Sequence, residues 1–238
     1  MSFYLEIEPN GFGATYQSTI YGLALCRKYG WDFRFKPYTQ IHNGSADKCN
    51  SFTGFNSYQR PDHNSSNIPY THQLYGSRFE DLFTDDIIDE IRQKYYSTEK
   101  PDNPYSNYVA IHIRRGDVNK KNHPDRWIET NDYIGFIKTL KEKYPDKKIV
   151  ICSQGGAAMF EEIRRIFPDV VIDLQNDPLR HFNILVASDV LLPSLSSFSF
   201  IAGLLNKNTV INDIYHLFKF WHKPPLKWVS VLMDIDVS

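Results

Sequence analysis

The chain has little cysteine. Cys26, Cys49 and Cys152 are an odd, scattered set with no CxxC pair, which argues against a disulfide framework or a cysteine-rich structural zinc and points to a reducing compartment. The sequons at Asn43 and Asn64 then carry no weight, because glycosylation requires secretion. Long apolar runs are also lacking: no stretch reaches the roughly 20 residues that span a bilayer. The opening Met-Ser-Phe-Tyr-Leu-Glu has neither a basic nor an apolar leader region, so the expectation is a cytoplasmic protein with no membrane span. An excess of either charge is missing too. With 27 Lys and Arg against 28 Asp and Glu there is no global basic field to hold nucleic acid, and any bound anion needs a local site.

Several catalytic signatures are absent. There is no GxxxxGK[ST] loop, no HExxH and no GxSxG. The single DxD is Asp234-Ile-Asp236, in the last few residues, a poor place for a metal. His42, His63, His72, His123, His216 and His222 show no paired ligand spacing. Neither a metal nor a resident cofactor is expected.

What is present is the composition of an ordered globular protein, 42% hydrophobic and 15% aromatic over 238 residues. From residue 109 onward short apolar runs alternate with helical patterns. Strands are expected at Val109 to Ile113, Ile149 to Cys152, Val170 to Leu174, Val190 to Leu192 and Val210-Ile211. Helices are expected after an Asn131 N-cap, over Ala157 to Ile166, Leu179 to Ala187 and Phe198 to Leu205. That alternation implies βαβ crossovers and a doubly wound parallel sheet.

Residues 1 to about 105 are less regular. A strand at Phe3 to Ile7 leads through Gly11-Phe12-Gly13 into a helix with Tyr16, Ile20, Leu23 and Ala24 on one face, and Trp31 to Phe35 reads as a second strand. Thr39 to Ser77 is polar and rich in Asn, Ser and His, which is expected of a functional loop region or a partly disordered one. Glu99 to Asn107, with Pro101 and Pro104, is the linker candidate. The expectation is an α/β fold of two lobes, 1–105 and 106–238.

In an open parallel sheet, ligands lie beyond the carboxyl ends of the strands. His112-Ile113-Arg114-Arg115-Gly116-Asp117 occupies such a place. Strand alternation puts His112 and Arg114 on one face. The planar, permanently charged fork of arginine bonds phosphate oxygens in pairs. A pair of surface arginines bridged to Asp117 is the plain alternative. A second anion-competent turn is the serine cluster Ser194, Ser196, Ser197 and Ser199, where a strand runs into a helix and N–H groups and hydroxyls coincide. Ordinary helix capping explains the same serines. Gly11 and Gly13 form a third backbone cradle or a simple tight turn, since Tyr16 breaks any GxGxxG.

"VAIHIRRGD" at 109–117 and "SDVLLPSLSSFSFIAGLL" at 188–205, with "GFGATYQ" at 11–17 more weakly, resemble the fucosyltransferases that share an HxRRxD motif: the alpha-1,2 and core alpha-1,6 enzymes and, more distantly, protein O-fucosyltransferases. The N-terminal block departs from them at Ala14, where asparagine is usual. The resemblance implies a GT-B-like fold of two Rossmann-type lobes, the N-terminal one reduced and on the acceptor side. It implies GDP-fucose as donor, a glycan acceptor, inversion and no metal.

By motif position Arg114 would hold the β-phosphate with Arg115 in support, His112 would lie near the ribose or guanine, and Ser196 and Ser197 would contact phosphate oxygens. An acidic partner for guanine is expected at Asp177, with His181 close by. Asn122 stands where the core alpha-1,6 enzymes carry a glutamate, so the acceptor's base is open among Asp117, Asp125 and Glu129. Asp117 instead orients the arginines in the other reading. Two alternatives stand beside this one: the same fold with a UDP- or other GDP-sugar, and a non-catalytic nucleotide- or glycan-binding module.

Overall fold

The computed structural model describes residues 2–5, 10–42, 44–60, 79–217 and 227–232. Asp234 and Asp236, the sequons at Asn43 and Asn64, and His63, His72 and His222 lie outside the described residues. The chain divides into two units, Met1–Pro101 and Asp102–Ser238.

In the first unit, β1 (Ser2–Leu5), β2 (Asn10–Gly11), α1 (Phe12–Tyr29), β3 (Asp32–Phe35) and β4 (Ile41–His42) follow in order. β1 pairs in parallel with β3, and β2 with β4. The helical spacing read in α1 is its buried face: Tyr16, Ile20, Leu23 and Ala24 are fully enclosed.

Within the polar stretch expected to be loop, the chain forms α2 (Ala46–Thr53) and a 3₁₀ turn at Asn56–Tyr58. Its local signals are a Ser45 cap whose side chain accepts from the Lys48 N–H, and Gly54 in the left-handed region at φ 76°. The helices α3 (Phe79–Leu82) and α4 (Asp85–Tyr96) follow. A Cβ on Gly54 would stand 1.9 Å from the Lys94 carbonyl oxygen of α4, so both its φ and its neighbour require glycine. Lys100 fastens the end of this unit: its ammonium lies 4.5 Å from the centre of the Phe52 ring and 4.0 Å from that of Tyr95, and donates to the Phe52 carbonyl at 2.9 Å.

The second unit is built on β5 (Tyr108–His112), every residue of which is buried. Each large apolar side chain so enclosed contributes about 1.5–3 kcal/mol. In order come α5 (Thr130–Lys143), β6 (Lys148–Cys152), a 3₁₀ turn at Ala157–Phe160, α6 (Glu161–Ile166), β7 (Val171–Asp173), α7 (Pro178–Ala187), β8 (Val190–Leu192), α8 (Ser197–Leu205), β9 (Thr209–Val210) and α9 (Asp213–Leu217). All five strands are parallel in the order β7-β6-β5-β8-β9.

From β5 the chain runs outward through β6 to β7, then returns across the sheet to β8 on the other side of β5. Right-handed crossovers therefore put α5 and α6 on one face and α7 and α8 on the other. The strand order reverses between β5 and β8, and that is where an open α/β sheet has its crevice.

Two local readings differ from the structure. Asn131 does not cap α5: the helix starts at Thr130 after Glu129, which makes no side-chain cap bond, so Asn131 sits inside the first turn. The helix expected over Ala157 to Ile166 is a 3₁₀ turn followed by a short α-helix. Among the described residues no helix is long and apolar enough to cross a membrane.

Candidate active site

Two loops leave the sheet at the switch point, one after β5 and one after β8, and their side chains meet. His112, the last residue of β5, is 7% exposed and its Nδ1 lies 2.7 Å from the Ser194 hydroxyl. Two residues on, Arg114 donates from Nη1 to the Ser196 hydroxyl at 3.2 Å. The i, i+2 alternation of one loop thus matches that of the other. Asp117 takes the opposite edge of the Arg114 guanidinium, accepting from Nε at 3.0 Å and from Nη2 at 2.5 Å.

Ser196 is also the N-cap of α8 and accepts from the Phe198 N–H, which brings the positive end of that helix to Arg114. Ser197 opens α8 and is half-buried. Gly116 turns the chain between Arg115 and Asp117 at φ 91°, in the left-handed region. Arg114 is partly exposed at the mouth of the crevice, its charge paired with the Asp117 carboxylate on one edge and its other edge on the Ser196 hydroxyl.

Arg115 has a different environment. It is 3% exposed, donates to the carbonyls of Arg114 at 3.0 Å and Ile128 at 2.8 Å, and lies 3.7 Å from the centre of the Trp127 ring. Tyr133 of α5 encloses it further. Burial weakens its charged form. Its contacts are those of a brace beneath the loop, on the face opposite His112.

The imidazole of His112 packs on the Phe198 ring, 5.3 Å between centres. Burial first, then the charge of Arg114 and the nearness of His181, hold its pKa well below the ordinary histidine value. It is neutral.

The strand-end rule also finds a residue that the sequence analysis passed over. Asp173 ends β7 with its side chain almost wholly enclosed. Its Oδ1 meets His181 Nε2 at 3.0 Å and accepts from the Gln175 N–H at 3.1 Å. Its Oδ2 accepts from Arg180 at 2.7 Å and from the Tyr105 hydroxyl at 2.9 Å. Burial pushes its pKa up, but the hydrogen bonds from His181, Arg180 and Tyr105 outweigh this and hold it down at about 2. Asp177 is exposed, caps α7 through Oδ1 and uses that oxygen on the Leu179 and Arg180 N–H groups. His181 therefore belongs with Asp173.

The remaining carboxylates near the motif are on the surface loop. Glu129 pairs with Lys120, which lowers its pKa, and the Asp125 side chain is 64% exposed. Asn122 closes the loop by donating to the Asp117 carbonyl at 3.0 Å. Gly11 and Gly13 belong to the first unit. Gly11 is the N-cap of α1 with open space where a side chain would stand, and Gly13 is buried in that helix's first turn. No group of three or more His, Cys, Asp or Glu side chains is placed to share a metal among the described residues.

Among known proteins, residues 53–217 match the model of glycosyl transferase family 11. No curated protein matches the chain. Among solved structures it is similar to the NodZ alpha-1,6-fucosyltransferase co-crystallized with GDP, at 12% identity and a TM-score of 0.47 over 86% of this chain and 93% of that one. It is also similar to the fucosyltransferase NodZ from Bradyrhizobium, at 13% identity and a TM-score of 0.47 over 86% and 94%. With well over half of its residues inside the family model, the chain belongs to glycosyl transferase family 11, within the fucosyltransferase superfamily that its HxRRxD run resembles.

Proposed function

We propose that this glycosyltransferase is an inverting, metal-independent fucosyltransferase that moves fucose from GDP-fucose to a hydroxyl of a glycan acceptor. The observation that carries the reading is the three-way contact of Arg114 with Asp117 and the cap of α8. Of the five N–H donors of a guanidinium, three are used, and the two that remain stay in the plane fixed by the others. A diphosphate leaving group gains negative charge as the bond to the sugar breaks. A fixed arginine beside a helix N-terminus stabilises that charge in the transition state, the role a divalent cation plays in other transferases.

In this reading Asp117 acts by orienting Arg114. Both of its carboxylate oxygens are taken up by the guanidinium, which leaves neither placed to receive the acceptor's proton. Ser196 and Ser197 lie within the same anion-binding turn, and Arg115 supports it from below. His112 offers a neutral imidazole beside the phosphates. Asp177 is the acidic partner for guanine: it is exposed, and its Oδ2 makes no hydrogen bond among the described residues.

Calorimetry with GDP and UDP tests the donor. GDP is expected to bind tighter than UDP, and the reverse order would remove GDP-fucose as the donor. Asp177→Asn keeps an equally good N-cap and is expected to erase the preference for GDP. Transfer is expected to persist in excess EDTA, and NMR of the product is expected to show the anomer opposite to the donor's.

A further inference from the structure

One buried side chain at the switch point, Ser194, bears directly on what His112 can offer. Ser194 is 1% exposed and stands between the β8 strand end and α8. Its carbonyl accepts from the Tyr215 hydroxyl at 3.0 Å, and its N–H donates to the Ser199 hydroxyl at 3.0 Å. The Ser199 hydroxyl in turn lies 3.2 Å from the Ser194 carbonyl as a donor. With its backbone bonded on both sides, Ser194 can place its own hydroxyl in very few ways.

That hydroxyl carries one hydrogen and has two neighbours, His112 Nδ1 at 2.7 Å and Ser199 Oγ at 3.4 Å. A contact of 2.7 Å is the ordinary length of a bond donated by a hydroxyl and is shorter than the usual 2.9–3.0 Å of one donated by a ring N–H. The Ser199 oxygen at 3.4 Å is the weaker recipient. These two distances favour His112 as the recipient of the hydrogen. The ring makes no other hydrogen bond among the described residues, and its plane is fixed by Phe198.

We infer that Ser194 is a positioning residue that holds His112 as the tautomer with its hydrogen on Nε2. A neutral imidazole has one donor and one acceptor, and this bond uses the acceptor. What reaches the ligand is then a single N–H donor, the polarity that suits ribose or phosphate oxygens and disfavours a ligand donor at the same point. The inference rests on the donor-site reading of His112 for its consequence, but the tautomer itself does not depend on it.

The test is two-dimensional ¹⁵N–¹H NMR of the histidine side chains, with the His112 signals assigned by their loss in His112→Gln. Nε2 bearing the hydrogen and Nδ1 bare supports the inference, and the opposite tautomer overturns it whatever the activity. Ser194→Ala is expected to mix the two tautomers and to lower transfer about tenfold, mostly in the KM for donor, with Ser194→Thr restoring both. An unchanged tautomer in Ser194→Ala would overturn the positioning role. GDP titrated into the same labelled wild-type sample reports on the donor site separately: His112 signals that stay still would sink the donor-site reading while leaving the tautomer result standing.

Discussion

The two sides of the turn after β5 carry the same residue type with opposite uses. On the crevice side Arg114 is partly exposed, held in plane by Asp117 and by the cap of α8, and keeps donors unspent. On the underside Arg115 is buried, stacked on Trp127, and donates to two backbone carbonyls. One guanidinium is kept available by its brackets; the other is consumed in holding the loop. Adjacent positions in sequence became separate functions because side chains alternate where the strand runs out, and because one face is crevice while the other is covered by α5.

The comparison breaks most sharply at Arg114. Arg114→Ala is expected to lower transfer by roughly 10²–10³, the usual loss when a transition-state charge partner is removed, with circular dichroism and the melting midpoint unchanged. Arg115→Ala should show the reverse pattern, an unfolding free energy lower by about 3 kcal/mol in urea denaturation from two stranded carbonyls and a cavity. Equal losses of stability in the two variants would erase the distinction between the two sides.

Smaller effects sharpen it. Asp173 has a folded pKa of about 2, below its ordinary 3.8, so it contributes stability above about pH 4 that is lost as pH falls towards 2. That contribution is roughly 2 kcal/mol. Asp173→Asn should flatten this part of the stability profile, and an unchanged slope would mean the carboxylate is not the titrating group. The smallest effect is expected at Ser196→Ala, which removes the cap of α8 at a cost of about 1 kcal/mol in stability. GDP affinity, read by calorimetry, is expected to weaken a few-fold because Arg114 loses one of its supports.

Much of the second unit could be read from residues alone. A buried parallel strand is apolar on both faces, so Val109 to Ile111 and Val190 to Leu192 stood out by composition, and the helices between them by period. Two parts of the site did not. Strand alternation already set Arg114 apart from Arg115, but that Arg115 is a buried brace was not legible, because the Trp127 and Tyr133 rings that enclose it lie well along the chain. Asp173 gave no signal because its partners His181, Arg180 and Tyr105 come from outside its own strand, whereas Asp177 stood out as an acidic residue before Pro178 that also caps α7. In the first unit α2 was hidden in a polar stretch, since a short helix with few apolar residues gives almost no periodic signal and is fixed by Ser45 and Gly54.

The strand register has a further consequence. His112 is opposite Cys152, and Cys152 is opposite Asp173, so three strand ends form one row across the sheet. Adjacent strands are about 4.8 Å apart, which spaces the backbones of His112 and Asp173 by about 10 Å. The middle of that row is a buried thiol whose proton is held tightly by burial, a filler with no charge of its own. The sheet therefore works as a fixed ruler between two polar stations. Changing the distance between those stations would require remodelling the loops above the sheet, since the row itself is set by backbone hydrogen bonds.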